Sequence, residues 1–357
     1  MKKRILFLVN GLGLGNSTRC HAVIQYLHEK GAQIEVLTSG NGAWYFQGCP
    51  EVNSVHEIEA LRYGKRDGRL SVLKTVLSTR EILNVQARNA KKVEAVINSF
   101  NPEAAVFDSI YTYRPFKKRQ IPLIALNNSD VVYHSYYRFR DNPNNIKPQF
   151  YAIEMMDYLF HKSVPDLVIS PSLEPVLPLK KGKFISVGPI VRKGYAPPDA
   201  KKKTDNIVIM LSGSTFASPV ILKRRDYPCN ISVVGRDAPA DLFIPANIKY
   251  YGKVSNTLPF LVNADLVVVN GGFSAVSEMF YMKKPMIVIP VPNHAEQWLN
   301  ARTVKHLGVG VMADESNFED KTIDAIGRLN DFRETYAKLP ETSNGAEEAA
   351  EILLTRI

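Results

Sequence analysis

The chain has 357 residues, 45% of them apolar and 22% charged; this is too long for one ordinary domain and enough for two cores, and it excludes the disordered and fibrous classes. A formal charge of +10 and a pI near 9.3 suit an anionic small molecule, an anionic membrane surface or nucleic acid. The basic clusters at Arg62–Arg69, Arg114–Arg119, Lys180–Lys183 and Lys201–Lys203 lack the interleaved basic and aromatic pattern of a nucleic-acid reader, so no nucleic acid is expected.

The opening run Ile5–Val9 reads as a first buried strand and not a leader, because Asn10 and three alternating glycines interrupt it after five apolar residues. No apolar run is long enough to cross a bilayer. A helix from about Ser17 to Lys30, stopped by Gly31, leads to a second strand at Gln33–Thr38, completing a βαβ unit. Further on come a helix at Val85–Phe100, a strand at Ala104–Phe107 ending on Asp108, and a strand at Ile121–Leu126 ending on Asn127 and Asn128. Parallel sheets carry their functional side chains just past strand C-termini, where these three polar residues fall.

Glycines, prolines and lysines break the periodicity between Val187 and Lys203, as a linker would. Alternation then resumes, with strands at Ile207–Leu211, Ile231–Val234, Ile248–Tyr251, Leu266–Val269 and Met286–Ile289 and helices at Asn256–Asn263, Ser274–Met282 and Gln297–Leu307. The expected architecture is α/β, with two Rossmann-like, doubly wound parallel-sheet domains facing a cleft. The expected boundaries are 1–187 for an acceptor-binding domain, 188–203 for the linker, 204–340 for a nucleotide-sugar-binding domain, and 341–357 for a C-terminal helix packing back on the first domain. Cys20, Cys49 and Cys229 are scattered and odd in number; they read as reduced thiols of a cytoplasmic protein, without metal-ligand spacing.

Three loops carry candidate chemistry. Gly11-Leu12-Gly13-Leu14-Gly15-Asn16 opens the first helix; its glycines alternate, which is not the redox-dinucleotide spacing, and a tight turn alone would also explain them. Ser212-Gly213-Ser214-Thr215 and Gly271-Gly272-Phe273-Ser274 both follow buried strands and offer backbone N–H and hydroxyl donors suited to a diphosphate. Glu278, one turn beyond Ser274, can accept from both hydroxyls of a ribose diol. His294, Glu296 and Gln297 sit where they could reach sugar hydroxyls, although a loop histidine is more often structural. No acidic or histidine cluster has metal-ligand spacing.

The order and spacing of these pieces resemble two-domain GT-B glycosyltransferases, in the group containing the bacterial peptidoglycan N-acetylglucosaminyltransferase and the UDP-sugar transferases. The matching stretches are Gly252-Lys253-Val254, Ala264-Asp265-Leu266-Val267-Val268, Gly271-Gly272-Phe273-Ser274, Glu278, Lys284-Pro285-Met286, His294-Ala295-Glu296-Gln297, Asn300-Ala301 and Leu307-Gly308, joined in the first half by the glycine loop with Thr18-Arg19, Asp108 and Val187-Gly188-Pro189. The resemblance implies that Glu278 binds the ribose and that Ser212, Gly213, Ser214, Gly271, Gly272 and Ser274 face the diphosphate. It also implies that Val254 meets the base, and that Gly15, His294, Glu296 and Gln297 complete the donor site.

It further implies an inverting, metal-independent transfer without a cofactor, from a UDP-sugar or another nucleotide-sugar to a carbohydrate or lipid-linked acceptor. Cell-envelope glycan chemistry in the cytoplasm, with peripheral contact at the inner face of the membrane, would follow. One position departs from the family: the loop histidine that acts in deprotonation is Asn16 here, and an amide has no useful proton affinity at neutral pH. Asp108 is the expected substitute, with an aspartate capping the next turn as the other reading. Two alternatives stay open, a nucleotide-sugar hydrolase or 2-epimerase on the same fold, and a non-catalytic sugar-nucleotide-binding partner subunit.

Overall fold

The computed structural model describes residues 2–60, 65–66, 69–70, 79–174, 182–196, 205–211, 222–224, 226–239, 243–254 and 256–357. The chain divides into two compact units, one of residues 1–138, 151–193 and 342–357, the other of residues 139–150 and 194–341. The expected boundaries contain no hint of the excursion at Phe139–Phe150, which leaves the first unit between two of its helices.

In unit one the strands are β1 (Arg4–Val9), β2 (Gln33–Thr38), β3 (Ser54–Glu57), a short antiparallel pair β4 (Lys65–Arg66) and β5 (Arg69–Leu70), then β6 (Ala104–Asp108), β7 (Leu123–Leu126), β8 (Leu167–Pro171) and β9 (Phe184–Val187). Seven form one parallel sheet in the order β3-β2-β1-β6-β7-β8-β9. β1 and β6 are buried along almost their whole length, which is why they read as unbroken apolar runs and not as alternating ones. One face of the sheet is covered by the helix Leu14–Glu29 through Val23, Ile24 and Leu27 and by the C-terminal helix Gly345–Arg356 through Ala346, Ala349, Ala350 and Leu353. Val93, Val96 and Ile97, of the helix Thr79–Phe100, pack in the core on the other face.

The C-terminal helix is held by backbone contact as well as by its alanines. Asn344 Oδ1 accepts from Ala346 N at 3.0 Å, capping the helix, while its Nδ2 donates to the Val191 carbonyl at 2.9 Å. A side chain at Gly345 would overlap the Gly188 carbonyl. Val187-Gly188-Pro189 therefore works as a docking surface for the last helix.

Unit two has a six-stranded parallel sheet, from β10 (Asn206–Met210), β11 (Asn230–Val234), β12 (Ile248–Tyr250), β13 (Leu266–Asn270), β14 (Met286–Ile289) and β15 (Gly310–Met312). Their order is β12-β11-β10-β13-β14-β15. Helices Leu258–Val262, Phe273–Tyr281, Ala295–Leu307, Phe318–Gly327 and Leu329–Lys338 complete the alternation. Both units are thus doubly wound α/β folds, as the patterning predicts. No helix among the described residues is long and apolar enough to cross a membrane.

Candidate functional site

Each sheet reverses its winding direction next to its first strand, between β1 and β6 in unit one and between β10 and β13 in unit two. At such a point the flanking loops diverge and leave a crevice beyond the strand C-termini. The glycine loop and Asp108 occupy this position in the first sheet. In the second it is occupied by Asn270-Gly271-Gly272, whereas Ser212, Gly213 and Ser214, expected on the neighbouring loop, lie outside the described residues.

In unit one the loop is braced from below and open above. A side chain at Gly11 would overlap the Ser39 carbonyl, so the glycine is needed for close approach to the segment after β2. Gly13 has nothing near its missing side chain and forms the N-terminal boundary of the helix, which starts at Leu14, three residues before the sequence pattern suggests. Asn10 Oδ1 accepts from Leu12 N at 3.0 Å and shapes the turn. Asn16 is half-buried and its side chain makes no hydrogen bond among the described residues.

Asp108 is fully buried, and both of its oxygens are engaged by one arginine: Arg19 Nε donates at 2.9 Å and Nη2 at 2.6 Å. Ser109 Oγ adds a contact at 3.2 Å and Cys20 Sγ one at 3.5 Å. Burial, reinforced by the Asp108 carboxylate, pushes the Cys20 thiol well above its ordinary range. A bidentate guanidinium is among the strongest hydrogen-bonding partners a buried carboxylate can have. This arrangement ties β6 to the first helix and leaves Asp108 no oxygen facing outward. At the end of β7, Asn127 Oδ1 accepts from Ser129 N at 2.6 Å. Beside it Asn128 Nδ2, Ser129 Oγ and Asp130 Oδ2 are buried with no hydrogen-bond partner among the described residues.

In unit two the two adjacent glycines differ in kind. A side chain at Gly271 would lie 2.5 Å from the Gln297 carbonyl oxygen and 2.8 Å from its Cβ, so this glycine lets the helix Ala295–Leu307 pack against the turn. A side chain at Gly272 would have no described residue within 4 Å, and this glycine stands at the N-terminal boundary of the helix Phe273–Tyr281. An open backbone at a helix N-terminus offers free N–H groups and the positive end of the helix dipole. Ser274 is half-buried on the first turn, and Glu278, on the same helical face one turn deeper, is 6% exposed.

The second wall comes from Ala295–Leu307. Gln297 Oε1 accepts from Val291 N at 3.0 Å, fixing the loop after β14, and its amide nitrogen makes no hydrogen bond among the described residues. Glu296 lies in the first turn, and His294 forms the helix N-terminal boundary with its Nδ1 buried and without a hydrogen-bond partner among the described residues. Burial lowers the His294 pKa, against an opposing pull from Glu296, favouring the neutral imidazole. Val254 is half-buried four residues beyond β12. Gly252 before it adopts φ +59°, and a side chain there would lie 2.6 Å from Asp237 Oδ1.

Several supporting residues carry no role in the sequence reading. Asn300 Nδ2 donates to the Gly271 carbonyl at 2.9 Å and Asn270 Nδ2 to the Ile289 carbonyl at 3.1 Å, locking the glycine turn from both sides. Lys284 is buried and its ammonium donates to the carbonyls of Val262 and Ala264 at 2.9 and 2.8 Å, so Lys284-Pro285-Met286 is a structural clamp. From the excursion, Gln149 Oε1 accepts from Ala295 N at 2.9 Å and Asn145 Nδ2 donates to Asn293 Oδ1 at 3.0 Å. Gln149 supplies a helix cap from 146 residues away, which no local pattern could signal.

The family model for glycosyl transferase family 1 matches residues 3–328. An uncharacterized glycosyltransferase of Methanosarcina acetivorans is 23% identical over 342 residues, covering 90% of this chain and 89% of its own. The UDP-N-acetylglucosamine--N-acetylmuramyl-(pentapeptide) pyrophosphoryl-undecaprenol N-acetylglucosamine transferase of Shouchella clausii is 34% identical over 111 residues, covering 30% of this chain and 31% of its own. Among solved structures, the kitacinnamycin glycosyltransferase superposes with a TM-score of 0.68 at 16% identity, covering 100% of this chain and 99% of that one. MurG of Acinetobacter baumannii gives 0.64 at 13% identity, covering 99% of each. These last two establish a likeness of fold.

Proposed function

The chain belongs to glycosyl transferase family 1, and from that premise we propose that it moves a sugar from a UDP-sugar, held by unit two, to an acceptor held by unit one, with inversion and without a metal at the reacting centre. The observation that carries the donor assignment is the pairing of an open Gly272 backbone at a helix N-terminus with Glu278 buried one turn deeper on that helix. The first suits a diphosphate and the second a ribose diol. In this reading Ser274 and Gly271 flank the diphosphate, Val254 meets the base, and His294, Glu296 and Gln297 surround the sugar. Ser212, Gly213, Ser214 and Gly15 are further donor contacts implied by resemblance alone.

The expected proton acceptor needs revision. With both oxygens on Arg19, Asp108 is read here as the anchor of the glycine loop, and Asn16 as a hydrogen-bonding contact. Transfer without a dedicated base requires an acceptor nucleophile that arrives ionised, such as a phosphate or carboxylate oxygen. A chain of formal charge +10 favours such an acceptor. Exposed Tyr137, Tyr151, Met156 and Leu159 of unit one suit the apolar part of a lipid-linked acceptor at a membrane face; flotation with anionic vesicles at low salt is expected, and its absence would remove the membrane contact.

The reaction is tested by incubating protein with UDP-sugars and phosphorylated or carboxylated acceptors, following UDP release and new glycosides by mass spectrometry. Transfer product is expected; free sugar or an epimer in stoichiometric yield without acceptor would replace this reading with hydrolysis or epimerisation. Nucleotide binding with no turnover on any acceptor would favour the non-catalytic partner subunit, a reading that draws on Asn16 and the engaged Asp108.

A further inference from the structure

The three cysteines show no metal-ligand spacing along the sequence, but the fold of unit one gathers one of them with a histidine and a carboxylate from separate segments. His21 lies on the helix Leu14–Glu29, Cys49 just after the helix Asn41–Phe46, and Glu51 ahead of β3. Cys49 Sγ stands 3.9 Å from His21 Nδ1, and Glu51 Oε2 lies 3.2 Å from His21 Nε2. Each of the three offers a ligand atom within 4.8 Å of the other two. The His21 and Glu51 side chains are 13% and 19% exposed, so the cluster is sheltered yet reachable.

We propose that His21, Cys49 and Glu51 bind a single divalent cation of the zinc class. Zinc sits about 2.3 Å from thiolate sulfur and about 2.0–2.1 Å from imidazole nitrogen, so a sulfur-to-nitrogen separation of 3.9 Å admits an ion between them with little movement. Glu51 now faces the other ring nitrogen, Nε2, so it must swing to the Cys49 side of the ring to become the third ligand, and the Tyr45 hydroxyl, 2.8 Å from Nδ1, must yield that nitrogen to the ion, with water completing a tetrahedron. One thiol, one imidazole and one carboxylate select a borderline-soft ion over magnesium or calcium, which take oxygen ligands. Binding converts the Cys49 thiol to thiolate and releases its proton to solvent, with no change of oxidation state. Thiolate and carboxylate together balance the ion's two charges, offsetting the nearby Arg192.

The ion would act as a clip and take no part in transfer. It joins the helix that follows the glycine loop to the segment after Asn41–Phe46, whose Gly42 packs beneath Gly11 and Ser17. The role is therefore to stiffen both walls of the loop.

The test uses the whole chain, stripped with a chelator and titrated with Co²⁺ and then Zn²⁺. One equivalent of Co²⁺ is expected to give a near-ultraviolet thiolate charge-transfer band that Zn²⁺ displaces, and the band is expected to be lost in Cys49→Ser and kept in Cys229→Ser. Should Cys49→Ser fail to fold, alkylation of the wild type followed by mass spectrometry gives the same answer, with Zn²⁺ slowing modification of Cys49 relative to Cys229. A Co²⁺ spectrum without the thiolate band, or Cys49 alkylation indifferent to Zn²⁺, overturns the proposal.

Discussion

The two glycine turns occupy equivalent positions, each beyond a central strand where its sheet changes winding direction, yet they commit their acids differently. In unit one Asp108 lies on the neighbouring strand and is consumed by Arg19. In unit two Glu278 rides on the helix that the turn itself begins. Each turn also contains one glycine that packing requires, Gly11 or Gly271, and one facing open space, Gly13 or Gly272. Both turns set a helix N-terminus beyond a central strand; in unit one the nearest carboxylate braces the loop through Arg19, and in unit two we assign it to the ligand.

The largest expected effect breaks the bracing in unit one. Arg19→Met leaves the Asp108 carboxylate buried without a countercharge, and stability measured by urea unfolding should fall by about 3–5 kcal/mol, the usual cost of half a buried pair. Pairing that change with Asp108→Leu should recover much of the loss. Recovery would identify the pair as structural; a double variant that folds well but has lost all transfer would restore Asp108 to the reaction.

The glycine comparison gives the next effect. Gly271→Ala pushes a methyl group onto the Gln297 backbone and should cost about 1–3 kcal/mol. Gly272→Ala meets no atom of the described residues and should cost about 1 kcal/mol or less, while weakening nucleoside diphosphate binding measured by calorimetry. Equal stability losses in the two variants would show that the open and packed glycines are not different in kind.

Those turns were legible as glycine loops between strand and helix, and the sheets were legible because strands buried on both faces read as plain apolar runs, as in Ile5–Val9 and Leu266–Val269. What the sequence could not show was who pairs with whom. Arg19 and Asp108 are 89 residues apart, so an aspartate at a strand end looked available for proton transfer. Phe139–Phe150 gave no sign that it joins unit two, because its anchors are long-range contacts, from Gln149 to Ala295, Asn145 to Asn293, and Asp141 and Phe139 to Arg302. The helices Ser129–Arg138 and Met155–Ser163 were also unread, since tyrosines and histidine blur their apolar stripe. Lys284 read only as part of a stretch resembling the family, with nothing local to show that its ammonium is spent on two carbonyls.

The smallest effect follows from that lysine. Burial lowers the Lys284 pKa from 10.5 to about 8, against the attraction of Asp265 and with help from Arg333. Between those values the unfolded chain binds more protons than the folded one, so stability contributed by this group rises with pH from about 8 to 10.5 and is flat below. Lys284→Met should remove that slope in urea unfolding across the same window; an unchanged slope would assign the pH dependence to other groups.

The central claim, that unit two holds a nucleoside diphosphate through Gly272 and Glu278, is tested most directly by thermal unfolding of wild type and Glu278→Ala with UDP, GDP, dTDP, CDP and ADP. UDP at a hundred times its dissociation constant should stabilise the wild type by roughly 2.7 kcal/mol and leave Glu278→Ala little changed. Equal stabilisation of both proteins, or none by any diphosphate, would contradict the assignment.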